Sequence, residues 1–132
     1  MAGYSGTPLV KKLVLTDGLV IFVNIPPTEY FDWISPLPSA LVVKDKLAGE
    51  FDFIHLLSTT GRPFIKEFLR THLRKTGMLW VSWPKKSSKV PTDLDENIIR
   101  DFGLSAGLVD VKVCAVDQIW SGLKFVFRMK DR

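Results

Sequence analysis

Apolar residues fall into short blocks whose spacing switches between the two-residue repeat of a strand and the 3.6-residue repeat of a helix. Thr7 and Pro8 carry the cap and first-turn chemistry of a short helix running through Leu9 to Leu13. The Asp17-Gly18 turn leads into Leu19-Val20-Ile21-Phe22-Val23-Asn24-Ile25, apolar on both faces as a central parallel strand requires. Pro26-Pro27-Thr28 starts a second short helix to about Ile34, and a weaker strand follows at Ala40 to Val43. Phe51 to Leu57 is the third strand, ending in Ser58-Thr59-Thr60-Gly61. Phe64, Ile65, Phe68, Leu69 and Leu73 recur at helical spacing, so a helix is expected over Arg62 to Thr76, closed by Gly77. Met78-Leu79-Trp80-Val81-Ser82-Trp83 then reads as a buried strand, stopped by Pro84 and followed by Lys85 and Lys86. Beyond a polar loop to Pro91, Thr92 or Asp93 caps a helix containing Leu94, Ile98, Ile99 and Phe102. Val109 to Val116 and Leu123 to Met129 are the last strands, joined by Asp117-Gln118-Ile119-Trp120-Ser121-Gly122.

This alternation, ending in two successive strands, predicts one three-layer α/β domain over residues 1–132, Rossmann-like, with a mostly parallel six-stranded sheet. The short connection before the final strand makes that strand antiparallel to the rest. With 46% apolar and 24% charged residues, the composition is that of a globular core rather than a disordered chain. No apolar run reaches the roughly 20 residues of a membrane helix, and the first residues lack the basic and apolar regions of a signal peptide. A single cysteine cannot close an internal disulfide, which fits a reducing cytoplasm. The formal charge of +4 suits an anionic ligand but falls short of a nucleic-acid signature.

Several kinds of chemistry find no support. Cys114, His55 and His72 are too far apart in sequence for a zinc set, and no nucleophile elbow or phosphate-binding lysine loop is present. Cys114 alternates with Val113 and Ala115 along a strand, which favours a packed thiol over a nucleophile activated by Lys112. His55, inside an apolar strand, is expected to be a hydrogen-bonded interior residue, and His72 to be solvated on a charged helix. One constellation remains. The tryptophan strand and the Val109 strand end at one edge of the sheet, from which the final strand starts. Ser82, Trp83, Lys85 and Lys86 then lie near Asp117, Trp120 and Ser121. Two indoles beside two ammonium groups could hold a planar anion, or the indoles could simply close the core while the lysines are solvated. Both readings stay open.

The order of elements resembles a class I methyltransferase fold shortened by one strand, in which the last strand inserts between its two predecessors. Phe51-Asp52-Phe53-Ile54 resembles that fold's fourth strand, and Thr76-Gly77-Met78-Leu79-Trp80 its turn into the fifth. The chain also resembles the uncharacterised bacterial family called domain of unknown function 3052. That likeness rests on Gly3 to Leu9, Leu79 to Lys86, Thr92-Asp93-Leu94, Gly107 to Asp110, Lys112 to Asp117 and Trp120 to Leu123. The methyltransferase likeness implies a nucleoside cofactor approached closely by glycine backbone after the first strand. Asn24-Ile25-Pro26-Pro27-Thr28-Glu29 contains no glycine, so no cofactor is expected. Asp45, about 20 residues beyond Asn24, stands at the interval of a ribose-binding acid but reads more simply as a solvated aspartate between Lys44 and Lys46. The resulting expectation is a methyltransferase-like binding or interaction module without catalysis, for a small anionic ligand or a protein partner and not a membrane. The alternative is a small enzyme acting on an anionic substrate at the same edge. Nucleic-acid binding through Lys85, Lys86, Lys89 and Arg74 is disfavoured, since no aromatic stacking surface accompanies them.

Overall fold

A computed structural model describes residues 8–24, 26–35, 37–46, 48–59 and 72–132. Its elements are α1 (Leu9–Lys12), β1 (Val20–Asn24), α2 (Tyr30–Trp33), β2 (Val42–Lys44), β3 (Phe51–Leu57), β4 (Leu73–Pro84), α3 (Glu96–Ser105), β5 (Leu108–Ala115) and β6 (Trp120–Phe127). The strands form a six-stranded sheet in the order β2-β1-β3-β4-β6-β5. β1 pairs in parallel with β2 and β3, and β3 with β4. β6 lies antiparallel between β4 and β5, so the last strand is inserted as the sequence predicts.

Each face of the sheet carries its own core. Phe22, Phe51, Ile54, Leu79, Val81, Trp83, Leu123 and Phe125 pack on one side with Ile99 of α3. Ile21, Val23, Phe53, Leu57 and Trp80 pack on the other with Leu9 and Leu13 of the α1 segment and with Tyr30 of α2. That second face is tied down by the fully buried Trp80, whose indole N–H donates to the Leu13 carbonyl at 3.1 Å. This bond gives the freed carbonyl at the end of α1 a partner in place of water.

Three expectations are corrected, and two others fall on residues outside those described. Residues 60–71, most of the expected Arg62–Thr76 helix, lie outside the described residues, as does Thr7, the expected first cap. From Leu73 onward, however, the chain is strand and not helix: Leu73 pairs with Phe51, Met78 pairs with Phe53, and the register shifts between them. Arg74 is drawn alongside β3 by Asp52, 3.0 Å away, and the same carboxylate accepts the Val20 N–H at 2.8 Å. Gly77 fits this irregular stretch because a Cβ there would stand 2.9 Å from the Asp52 carbonyl oxygen. The cap of α3 is Asp95, accepting from the Ile98 N–H at 2.9 Å, and neither Thr92 nor Asp93. Leu94 therefore precedes the helix, where it is buried. Finally, β6 begins at Trp120 rather than Leu123, because Trp120 and Ser121 pair with Pro84 and Trp83. Among the described residues no helix is long and apolar enough to cross a membrane.

Candidate functional site

The tryptophan–lysine edge assembles as expected in backbone terms. Trp83 stands opposite Ser121, Pro84 opposite Trp120, and the Lys85 N–H donates to the Ile119 carbonyl at 2.8 Å. Its side chains are otherwise engaged. Directly opposed residues share a face and neighbours alternate, so Trp83 joins the core beneath α3 while Trp120 packs on the α1 side. The indoles are separated by the sheet and cannot sandwich one ligand. Asp117 Oδ1 accepts the Ile119 and Trp120 N–H groups at 2.9 and 2.6 Å, which folds the hairpin turn. Ser121 Oγ donates weakly to the Cys114 carbonyl at 3.5 Å. Lys86 is exposed at the start of a short 3-10 helix, and Lys85 before it is half-buried.

Ser82 belongs to a different constellation, one the sequence reading found only in part. It is fully buried, with Oγ 2.7 Å from His55 Nε2, and His55 Nδ1 is 2.7 Å from the Tyr30 hydroxyl. β4, β3 and α2 each contribute one member on the α1 side of the sheet. A serine beside a histidine that is oriented by a third group is the geometry of an activated nucleophile. All three side chains have zero exposure, however, so no substrate reaches them. Burial pushes the His55 pKa down to about 3 and raises that of Tyr30, which keeps both groups neutral. One ring nitrogen donates and the other accepts, so the neutral imidazole satisfies both neighbours. His55 is thus the hydrogen-bonded interior residue expected. Tyr30 was missed because no local pattern ties residue 30 to residue 55. His72 itself stands in a turn before β4, with its Nδ1 2.8 Å from the Gly49 carbonyl.

Cys114 is a half-buried thiol on β5, packed against the core on the α1 side. Burial raises its pKa, with Lys12 and Lys112 pulling the other way. The net shift favours the thiol, which diminishes the reactive thiolate a nucleophile needs at neutral pH. Among the described residues no group of His, Cys, Asp or Glu side chains is placed to hold a metal.

An open cavity lies at the far end of the same strand edge, where β1 and β2 finish. Its volume is about 310 Å³ and its walls are Phe22, Val23, Asn24, Pro26, Phe31, Val43, Lys44 and Asp45. This is near the lower limit of roughly 300–1,000 Å³ for small-molecule pockets. The sequence predicts the strand ends and singles out Asn24, Pro26 and Asp45. It gives no sign of Phe31 on α2 and Val43 on β2 as wall residues. Asp45 is exposed as expected, yet it also stands on the cavity wall. A nucleoside cofactor fits this wall poorly. Pro26 brings a ring and no N–H donor to the position where close backbone approach is needed, Pro27 removes a second amide, and no glycine stands among the described lining residues.

Comparison with solved structures agrees with the topology. A methyltransferase from Aquifex aeolicus described as SAM-dependent superposes with a TM-score of 0.60 at 15% identity, covering 89% of this chain and 86% of its own. Magnesium protoporphyrin IX methyltransferase from Synechocystis, solved with bound SAH, gives 0.55 at 14% identity over 91% of this chain and 80% of its own. Aeropyrum pernix fibrillarin, solved with S-adenosyl-L-methionine, gives 0.56 at 13% identity over 94% and 70%. At these identities the likeness is one of fold. No family model matches the chain, so the resemblance to domain of unknown function 3052 gains no support there, and no curated protein matches it. The chain has a Rossmann-like α/β fold of the methyltransferase type.

Proposed function

We propose that this chain is a methyltransferase-like binding module that takes a small molecule in the β1–β2 cavity and does not transfer methyl groups. The carrying observation is Pro26 on the cavity wall, in a glycine-free loop that has lost two amide donors. Backbone N–H groups and close approach are what this fold type offers a nucleoside cofactor, and both are reduced here. Without a bound methyl donor, transfer has no reagent. The remaining lining is apolar on Phe22, Val23, Pro26, Phe31 and Val43, with Asn24, Lys44 and Asp45 as the polar groups. Such a wall suits a compact ligand with an apolar body and a few polar substituents. This reading moves the proposed site from the Trp83–Trp120 end of the strand edge to the β1–β2 end, because the two indoles at the former pack on opposite faces of the sheet and Asp117 is spent on the hairpin turn.

Calorimetry with S-adenosylmethionine and S-adenosylhomocysteine tests the reading directly. Neither should show saturable binding in the low-micromolar range. Such binding, abolished in Asp45→Ala, would restore a working methyl-donor site and overturn the proposal.

A further inference from the structure

Lys12, Lys112 and Lys124 come together on the α1 face at the opposite end of the sheet. Lys112 and Lys124 are directly opposed across the β5–β6 pair, and Lys124 is in register with the buried Trp80 on its other side. Opposed residues have Cβ atoms about 4.5–5.5 Å apart, and like charges in that relation destabilise the pairing. The Lys112 ammonium turns inward to the Lys12 carbonyl at 3.2 Å, and the Lys12 ammonium reaches back to the Ala115 carbonyl at 3.4 Å. Lys12 is itself only 7% exposed. Partial burial and the neighbouring Lys112 both lower the Lys124 pKa. Among the described residues, the ion pairs engage Arg74 and Arg100, and none involves Lys112 or Lys124. A sheet that could have placed a carboxylate opposite the half-buried Lys124 instead sets the exposed Lys112 there and concentrates positive charge. A local rule broken in this way is expected at functional positions.

We propose that Lys12, Lys112 and Lys124 form a binding site for a small phosphate-type anion between α1 and the β5–β6 hairpin. A tetrahedral anion offers several acceptor oxygens to ammonium groups that arrive from different elements. Its charge turns the cross-strand repulsion into attraction. The site is distinct from the β1–β2 cavity, since β1 and β6 are three strand spacings apart, roughly 14 Å.

Cys114 provides the readout. It is the one cysteine of the chain and feels the charge of Lys12 and Lys112. An anion seated among the lysines cancels their pull on the thiol, lowers the thiolate fraction and slows alkylation. Iodoacetamide labelling is followed at mildly alkaline pH and fixed ionic strength, with chloride, orthophosphate or glycerol phosphate as the added anion. Orthophosphate or glycerol phosphate should slow labelling relative to chloride. In Lys124→Met, calorimetric affinity for the same anion should fall by roughly tenfold or more, the loss of one charge-assisted contact. Lys112→Met should do likewise, and serves if the first variant does not fold. The Lys85→Ala/Lys86→Ala double variant should keep the protection. Stronger protection by orthophosphate would identify a free-phosphate site, and stronger protection by glycerol phosphate a phosphoester site. No protection by either anion would overturn the proposal. So would equal protection in the Met variants, or its loss in the double variant.

Discussion

At position 55 the chain commits a titratable side chain to an interior with no exposed surface. The imidazole is tolerated because the Tyr30 hydroxyl and Ser82 Oγ, each 2.7 Å away, pair both ring nitrogens. The arrangement holds only while the ring is neutral, since a charged imidazolium would need two acceptors and would lie in a low-dielectric setting. With a folded pKa near 3 against an ordinary value of 6.5, the unfolded chain binds the extra proton across the interval between them. Stability is therefore complete above about pH 6.5 and falls as pH drops through that window toward 3. Urea midpoints of the wild type should decline steadily over this range. His55→Gln keeps an amide donor and acceptor but cannot titrate, so its midpoint should start lower at neutral pH and decline less steeply. Parallel slopes for the two proteins would show that other groups govern the acid limb.

For single elements, the packing of α3 on β6 depends on one missing side chain. Gly103 is buried at the contact, and a Cβ there would overlap the ring of Phe125, itself fully buried. Gly103→Ala would gain about 1 kcal/mol of helix propensity. Overpacking a fixed aromatic ring costs about 1–3 kcal/mol, toward the upper end for an overlap this deep. A net destabilisation of at least about 1 kcal/mol is expected, measurable by chemical denaturation. A more stable variant would mean that the helix shifts freely on the sheet. α3 also marks what sequence can and cannot resolve. Its apolar spacing at Ile98, Ile99 and Phe102 places the helix. Its cap was misjudged because Thr92, Asp93 and Asp95 are all chemically competent, and only tertiary placement selects Asp95. β1 and β3 were readable because apolar residues on both faces leave few alternatives to a central strand. The start of β4 was not: Leu73 satisfies a helical repeat as well as a strand pairing with Phe51, and the ion pair that favours the strand joins Arg74 to Asp52, 22 residues apart. Local periodicity carries no information about such partners.

In the molecule as a whole, the short Asp117–Ile119 turn already reverses the chain, and the methyltransferase likeness implies the insertion of β6. The candidate sites depend on longer-range placement. The sequence locates the strand edge, but the walls of the cavity and the meeting of Lys12, Lys112 and Lys124 arise from residues about 20 to 100 positions apart. The same topology makes the end of the chain structurally central. β6 pairs along its length with β4 and β5, and it contributes Leu123, Phe125 and Phe127 to the core beneath α3. Each of those side chains contributes roughly 1.5–3 kcal/mol on burial. Their combined loss, with two ladders of backbone hydrogen bonds, rivals the about 5–15 kcal/mol that separates a typical folded domain from its unfolded state. A chain ending at Asp117 should therefore lack near-ultraviolet circular dichroism and a cooperative thermal transition. Ending at Arg128 should have a small effect, since Met129–Asp131 is an exposed 3-10 turn and Arg132 adds only a bond to the Phe127 carbonyl at 3.0 Å. The contrast separates position in sequence from position in the fold, because both deletions remove the same terminus. A cooperative transition in the shorter chain would mean that β4 and β5 can close the sheet without the strand between them.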